Sequence, residues 1–325
     1  MAMCAEVLPV VKGLARPMVR PLRSLARRLR AFDGCAVRWG NSRDAEYFYG
    51  VWLKHLALLR HAGLDRAPRA VAEFGPGDTL GSGLCALLTG ARRYAAFDVG
   101  DFTSERGNLM ILERLLPLVA ADAPRRPQGS WLALERMLGD DVRPSRLGFP
   151  DQPAAPSLGE RAQALRAALG RVAQAHGPVQ VIAPWHARTA PPEAFDVVFS
   201  HSALQYEPDL QRLFGYMTAM LRPGGWMSHQ VDLTSIGVTR SWDGHRCYGS
   251  LAWRMVNLGR PYALNRHAAS AYVQAIRGTP GLELVEAIRH PREADAAPPR
   301  HADDEQAAQD ARCDHLVLLA RKRGG

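Results

Sequence analysis

The sequence predicts a doubly wound α/β fold around a mostly parallel, seven-stranded sheet, on the strength of three observations. Short apolar runs alternate with amphipathic stretches, a glycine-rich turn follows the first such run, and an acid closes the second. Seven segments read as strands: 70–74, 94–97, 179–182, 196–200, 226–231, 282–289 and 315–320. Helical stretches between strands predict parallel pairing, whereas the last two strands, divided by the polar, proline-bearing stretch 291–311, are expected to form a terminal hairpin pair.

In chain order, residues 7–32 come first as a basic arm. They carry Lys12, Arg16, Arg20, Arg23, Arg27, Arg28 and Arg30 without an acid, among leucines and valines. Such a segment suits the surface of an anionic membrane. Pro17 and Pro21 interrupt any long helix there, so an arm packed on the domain fits equally well. Asn41-Ser42 followed by Asp44 and Glu46 marks a helix start, and Tyr47, Trp52, Leu56 and Leu59 recur on one face until Gly63. The expected organisation is thus an arm and helical extension over 1–64 and an α/β domain over 65–325.

Within that domain the strand 70–74, the turn 75–83, a helix over 84–88 and the strand 94–97 form a β-turn-α-β unit. The amphipathic stretch 209–221 separates two later strands. Two stretches fall outside the minimal alternation: 105–177, with an alanine-rich helical run at 159–175, and 234–265. Both are expected as insertions over the sheet's edge. The alanine- and proline-rich stretch 294–299 reads as a loop.

Composition narrows the partners. The formal net charge is +9, yet the only lysines are Lys12, Lys54 and Lys322, so an arginine-rich composition explains much of the basicity. Lysine runs interleaved with aromatics are missing from the body of the chain, and no nucleic-acid partner is expected. Cys4, Cys35, Cys85, Cys247 and Cys313 are odd in number and never in CxxC spacing, which points away from a disulfide framework and a zinc site. No apolar run approaches the ~18 residues of a membrane span, and a cytoplasmic location is expected.

The segment Ala72-Glu73-Phe74-Gly75-Pro76-Gly77-Asp78-Thr79-Leu80-Gly81 closes a strand and opens a helix. Gly75 and Gly77 let the backbone turn sharply and approach a ligand where a Cβ would clash. Asp98 ends the next strand, 25 positions after Glu73, where an acid can hold a ribose diol. A nucleoside cofactor is implied, although a bare strand-to-helix turn would also use these glycines.

Further along, Phe195-Asp196-Val197-Val198-Phe199-Ser200-His201-Ser202-Ala203-Leu204-Gln205-Tyr206, then Asp209-Leu210 and Leu221-Arg222-Pro223-Gly224-Gly225, resemble the fourth strand, following helix and fifth-strand turn of class I S-adenosylmethionine-dependent methyltransferases. The stretches Leu80-Gly81-Ser82-Gly83-Leu84, Met227-Ser228-His229-Gln230-Val231-Asp232, Trp242-Asp243-Gly244-His245 and Arg260-Pro261-Tyr262 with Asn265-Arg266 are similar to a bacterial methyltransferase-domain subfamily often associated with surface-glycan genes. The resemblance spans residues 46–289. It implies a Rossmann-like methyltransferase fold and S-adenosyl-L-methionine as cofactor. Gly75, Gly77, Thr79 and Gly81 would then face the methionine part, with Glu73 orienting its amino group or the turn. Asp98 would accept from the ribose hydroxyls, and Ser200 and His201 would line the floor beneath the sulfonium. Where the family often places an acid for adenine, this chain has Ala183-Pro184-Trp185-His186, so adenine is expected to stack on Trp185 or to meet backbone groups.

Methyl transfer needs an aligned acceptor and, for a hydroxyl, a base. His229, at the end of the fifth strand, is the expected base, with Asp232 orienting it or the acceptor. His245 is the second candidate. Trp242 would stack on a sugar or cap the core. Arg260, Asn265 and Arg266 would bind an acceptor carboxylate or phosphate, or form surface ion pairs. His186 and His201 have no metal-ligand spacing with nearby acids, and no metal is expected. The predicted activity is O-methylation of a polar acceptor such as a saccharide of a surface glycan, with a lipid or other small-molecule hydroxyl as the alternative. The arm leaves room for a peripheral membrane contact. A non-catalytic cofactor-binding protein is motivated by the missing adenine acid and by Leu204-Gln205-Tyr206. An NAD-dependent oxidoreductase is disfavoured by the GxGxxxG spacing.

Overall fold

The computed structural model describes residues 44–126, 132–149, 156–170, 177–185, 191–258, 263–292 and 305–324. The basic arm 7–32, His186, Arg260 and the loop 294–299 lie outside them.

Seven strands form one sheet: β1 (Ala70–Phe74), β2 (Arg93–Phe97), β3 (Val179–Ile182), β4 (Phe195–His201), β5 (Leu221–Asp232), β6 (Leu282–Pro291) and β7 (Cys313–Lys322), in the order β3-β2-β1-β4-β5-β7-β6. The first five are parallel, and β7 runs antiparallel to both β5 and β6. All seven expected strands are present. The terminal two pair as expected, but it is the later one that lies against β5.

Side chains alternate across the sheet. Val71, Val197 and Phe199 face a core shared with helices α1 (Ala45–His61), α2 (Gly81–Leu88), α3 (Glu105–Ala120) and, beyond α4 (Leu132–Leu138), α5 (Leu158–Leu169). Ala70, Ala72, Phe74, Val198 and Met227 face the second core, under α6 (Leu210–Met220) and, beyond α7 (Ser250–Val256), α8 (Ala269–Arg277). A last helix, α9 (Glu305–Arg312), precedes β7. Among the described residues no helix is long and apolar enough to cross a membrane.

Helix α1 is capped by Asp44, whose carboxylate accepts from the amides of Glu46 and Tyr47. Its Trp52, Leu53, Leu58 and Leu59 are 1% exposed or less. At about 1.5–3 kcal/mol for each fully buried large apolar side chain, α1 is part of the core rather than an appendage. The stretch expected as an edge insertion from residue 105 instead supplies Ile111, Leu112, Leu115, Leu165 and Leu169 to the same core. Because β3 neighbours β2, α3 and α5 are the crossover between them and lie on the sheet's face. The 234–265 stretch does form a small separate cluster of Tyr248, Trp253, Val256 and Leu264. Helix α2 starts at Gly81, earlier than expected, and a Cβ on Gly81 would stand 2.3 Å from the Phe48 ring. That glycine serves helix packing rather than the turn.

Candidate active site

A cavity of about 550 Å³ opens beyond the carboxyl ends of β1, β2, β4 and β5, where doubly wound sheets bind ligands. A larger cavity of about 1100 Å³ lies at the opposite strand edges, among Arg69, Arg92, Arg222 and Arg321, away from the glycine turn.

The turn after β1 forms one wall. Gly75 (φ +71°) and Gly77 (φ +78°) both adopt the left-handed backbone that glycine tolerates. A Cβ on Gly75 would stand 2.4 Å from the Ala203 Cβ, so the turn meets the loop after β4 only because no side chain intervenes. A Cβ on Gly77 would meet nothing within 4 Å, since it would project into the cavity. The turn therefore presents bare backbone, a cradle for a ligand that a side chain would fill. Asp98 lines the cavity beside it, accepting from the amides of Val99 at 2.7 Å and Gly77 at 3.4 Å. Burial raises its carboxyl pKa, and these amide bonds counteract the rise. Trp185 stands on the wall, edge-on to Phe74 with ring centroids 5.1 Å apart.

Three residues expected at the cofactor lie behind this surface. Glu73 is buried on the α2 side, accepts from the Tyr94 hydroxyl and from Ser82, and is pushed by burial to a pKa of about 7. It ties β1 to β2 and α2 rather than reaching the cavity. Thr79 is buried behind the turn, and its hydroxyl has no hydrogen-bond partner among the described residues. Ser200 points to the opposite face of the sheet, 2.9 Å from His229 Nδ1.

That bond also corrects the choice of base. On β5, Met227, His229 and Val231 face the α6 and α8 core, whereas Gln230 and Asp232 face the other side. His229 is fully buried against Phe214, and burial drives its pKa down to about 3. Its place at a strand end is right, but the two-residue alternation turns it away from the ligand. Asp232 does line the cavity, accepting from the Thr234 amide at 2.8 Å.

The inserted 234–265 stretch does not line this cavity with its expected residues. His245 is buried beside Trp253, its pKa lowered to about 4 mainly by burial. Trp242 carries guanidinium groups of Arg246 and Arg292 5.6 and 5.8 Å from its ring, which occupies the surface a sugar would stack on. Arg266 donates to the Tyr248 carbonyl and lies over Trp253. Asn265 donates to the carbonyls of Leu204 and Glu207, at 3.0 and 2.7 Å, and to the Tyr272 hydroxyl at 2.8 Å. It thus pins the 204–207 loop that walls the cavity instead of binding an anion.

His201 is at the cavity, with partners the sequence reading did not assign. Its Nδ1 lies 3.3 Å from His55 Nε2, and His55 Nδ1 lies 2.7 Å from Ser228 Oγ. Tyr47 meets the His201 ring edge-on at 5.9 Å and lines the cavity beside it. Next to them Lys54 is buried, donates to Gln230 and has its pKa lowered by burial to about 7. Burial and Lys54 hold both histidines well below their usual pKa, so both are neutral near pH 7. The readable signal was Lys54-His55, a polar pair between the mainly apolar runs 48–53 and 56–59 of one helix. At the mouth, Val99, Phe102 and Ile236 are 59%, 42% and 44% exposed.

The model of the methyltransferase domain matches residues 161–228, from α5 through β3, β4 and α6 into β5. No curated protein matches the sequence. Similar solved structures include an S-adenosylmethionine-dependent methyltransferase from Mesorhizobium loti, with 17% identity, a TM-score of 0.41 and coverage of 83% of this chain and 98% of that one. Another is the N-methyltransferase NodS from Bradyrhizobium japonicum in complex with S-adenosyl-L-homocysteine, with 13% identity, a TM-score of 0.39 and coverage of 87% and 89%. Residues 161–228, which are similar to a methyltransferase domain, supply Trp185 and the 201–206 segment to the wall of the glycine-lined cavity.

Proposed function

We propose that the enzyme methylates a hydroxyl oxygen of a small acceptor, with His201 as the general base. The observation that supports this is the His201-His55-Ser228 chain, which ends at the cavity. With the His55 proton on Nδ1, donated to Ser228 Oγ, His55 Nε2 accepts from His201 Nδ1–H. His201 Nε2 then holds a free lone pair.

Bound S-adenosylmethionine supplies an electrophilic methyl group on its sulfonium. Gly75 and Gly77 would cradle its methionine part, Asp98 would accept from the ribose hydroxyls, and Trp185 would hold adenine. His201 Nε2 would take the acceptor's proton as the oxygen–methyl bond forms and the methyl–sulfur bond breaks, its electron pair going to the sulfur of the departing S-adenosylhomocysteine, so a neutral histidine is required at the start. Asp232 stabilises the imidazolium or orients the acceptor.

A saccharide of a surface glycan is one acceptor class. The exposed apolar mouth at Val99, Phe102 and Ile236, together with the covering of Trp242 by two arginines, favours the second: a lipid-like or other amphipathic hydroxyl compound. The basic 7–32 arm would bring the enzyme to an anionic membrane carrying such a compound. Turnover should be screened with saccharide, aromatic and lipid alcohols, using the His201→Ala variant alongside. Loss of about 10²–10⁴-fold in turnover with S-adenosylhomocysteine affinity within a few-fold is expected of a base; unchanged turnover would remove His201 from the role.

A further inference from the structure

Three side chains on the terminal strands are not used by the chemistry above. His290 is near the end of β6, while Asp314 and His315 begin β7, and the strand register sets His290 opposite His315. Asp314 Oδ1 lies 2.7 Å from His290 Nδ1 and 3.1 Å from His315 Nδ1. One donor atom from each residue lies within 4.8 Å of the other two. On β5, Asp232 is opposite His315, with its Oδ1 3.8 Å from the second ring nitrogen, Nε2.

We propose that His290, Asp314 and His315 form a site for a divalent first-row transition metal, zinc foremost, with Asp232 holding the far edge of the His315 ring. The donor set fits, because two imidazoles and a carboxylate suit zinc, cobalt, nickel and iron rather than calcium or magnesium. Spacing fits as well. Zinc binds nitrogen and oxygen at about 2.0–2.2 Å, which sets neighbouring ligand atoms of a tetrahedron roughly 3.4 Å apart. The separations of 2.7 and 3.1 Å reach that value by small outward movements of side chains.

The partner of His315 is more telling. A metal-bound imidazole almost always donates its other N–H to a carboxylate or carbonyl, and Asp232 stands on that side. Binding at Nδ1 leaves the imidazole proton on Nε2, on the side of Asp232, whose Oδ1 would accept it after closing from 3.8 Å. The ligand side chains are 14%, 10% and 24% exposed, leaving an approach for the ion and a position for a water molecule. Asp232 also lines the cavity, so the metal would fix the placement of a carboxylate at the acceptor end. The sequence alone conceals this site, because the two histidines are 25 positions apart and meet only through strand pairing.

The full chain, stripped with a chelator, should be titrated with CoCl₂, read by visible absorption, and with ZnCl₂, read by calorimetry. One equivalent is expected to bind. Asp232→Asn should weaken binding about 10–100-fold, His290→Ala and His315→Ala more than that, and His267→Ala not at all. Unchanged affinity in both ligand variants, or no stoichiometric binding, would overturn the proposal. Should those variants fail to fold, X-ray absorption of the zinc-loaded wild type decides. Two imidazoles with oxygen ligands are expected, and sulfur or fewer imidazoles would refute the site.

Discussion

Replacing Gly75 and Gly77 one at a time by alanine separates two functions that look identical in a motif. Both residues have positive φ, +71° and +78°, so either alanine takes a left-handed conformation costing about 1–2 kcal/mol. Only at Gly75 does the new methyl collide, at 2.4 Å from the Ala203 Cβ, against about 3.5–4.0 Å for ordinary carbon contact. The 203–207 loop must retreat by more than an ångström or the core must strain, adding about 1–3 kcal/mol. Gly75→Ala should therefore lose about 2–5 kcal/mol in urea denaturation. Gly77→Ala should lose about 1–2 kcal/mol, yet weaken S-adenosylhomocysteine binding in calorimetry, because its methyl occupies the cavity. Equal stability of the two variants, or full cofactor affinity in Gly77→Ala, would refute the cradle reasoning.

Acid should destabilise the protein. His55, His201, His229 and His245 are held neutral when folded but titrate near 6.5 when unfolded, so the unfolded chain binds protons first and stability falls as pH drops below about 6.5. Each costs about 1 kcal/mol between pH 6.5 and 5.5, while Glu73, raised to about 7 in the fold, returns about 1 kcal/mol on protonation. Urea midpoints should show a net loss of about 3 kcal/mol, and about 4 kcal/mol in Glu73→Gln; a flat profile would contradict the burial of these groups. His229→Ala should lower stability and leave kcat unchanged, and a selective kcat defect would restore it as a base candidate. Asn265→Ala removes the side-chain hydrogen bonds to Leu204 and Glu207 and should raise the acceptor KM with a stability loss of about 1–3 kcal/mol; an unaltered KM would separate that loop from the acceptor.

Elements with a strong local signature were legible. The strands, the approximate start of the first helix and the glycine turn declare themselves through apolar runs, a cluster of capping-type side chains at 41–46 and paired glycines. Asp98 was legible too, because its distance from Glu73 is imposed by one βαβ unit. Residues whose role depends on which face they occupy were less readable. His229 and His201 both end strands, but the sheet's parity buries one and exposes the other. Lys54 and His55 reach the cavity region from a helix well before the motif in sequence, and the terminal histidines meet through pairing of distant strands. Such contacts are set by tertiary packing and leave no local periodicity. The crossover helices α3 and α5 were obscured by their long connecting stretches, although their buried leucines occupy one helical face.

The position of β7 between β5 and β6 has a consequence for how the chain comes to be folded. Synthesis proceeds from the amino end, so β6 emerges before the strand that joins it to the sheet. Until residues 313–322 follow, β5 keeps an unpaired edge and β6 has nowhere to dock. An unpaired edge is a template for association with other chains. The parallel half of the sheet, including the glycine turn and His201, is therefore complete in sequence while the molecule is still open to misassembly. Closure depends on one strand pairing on both sides at once.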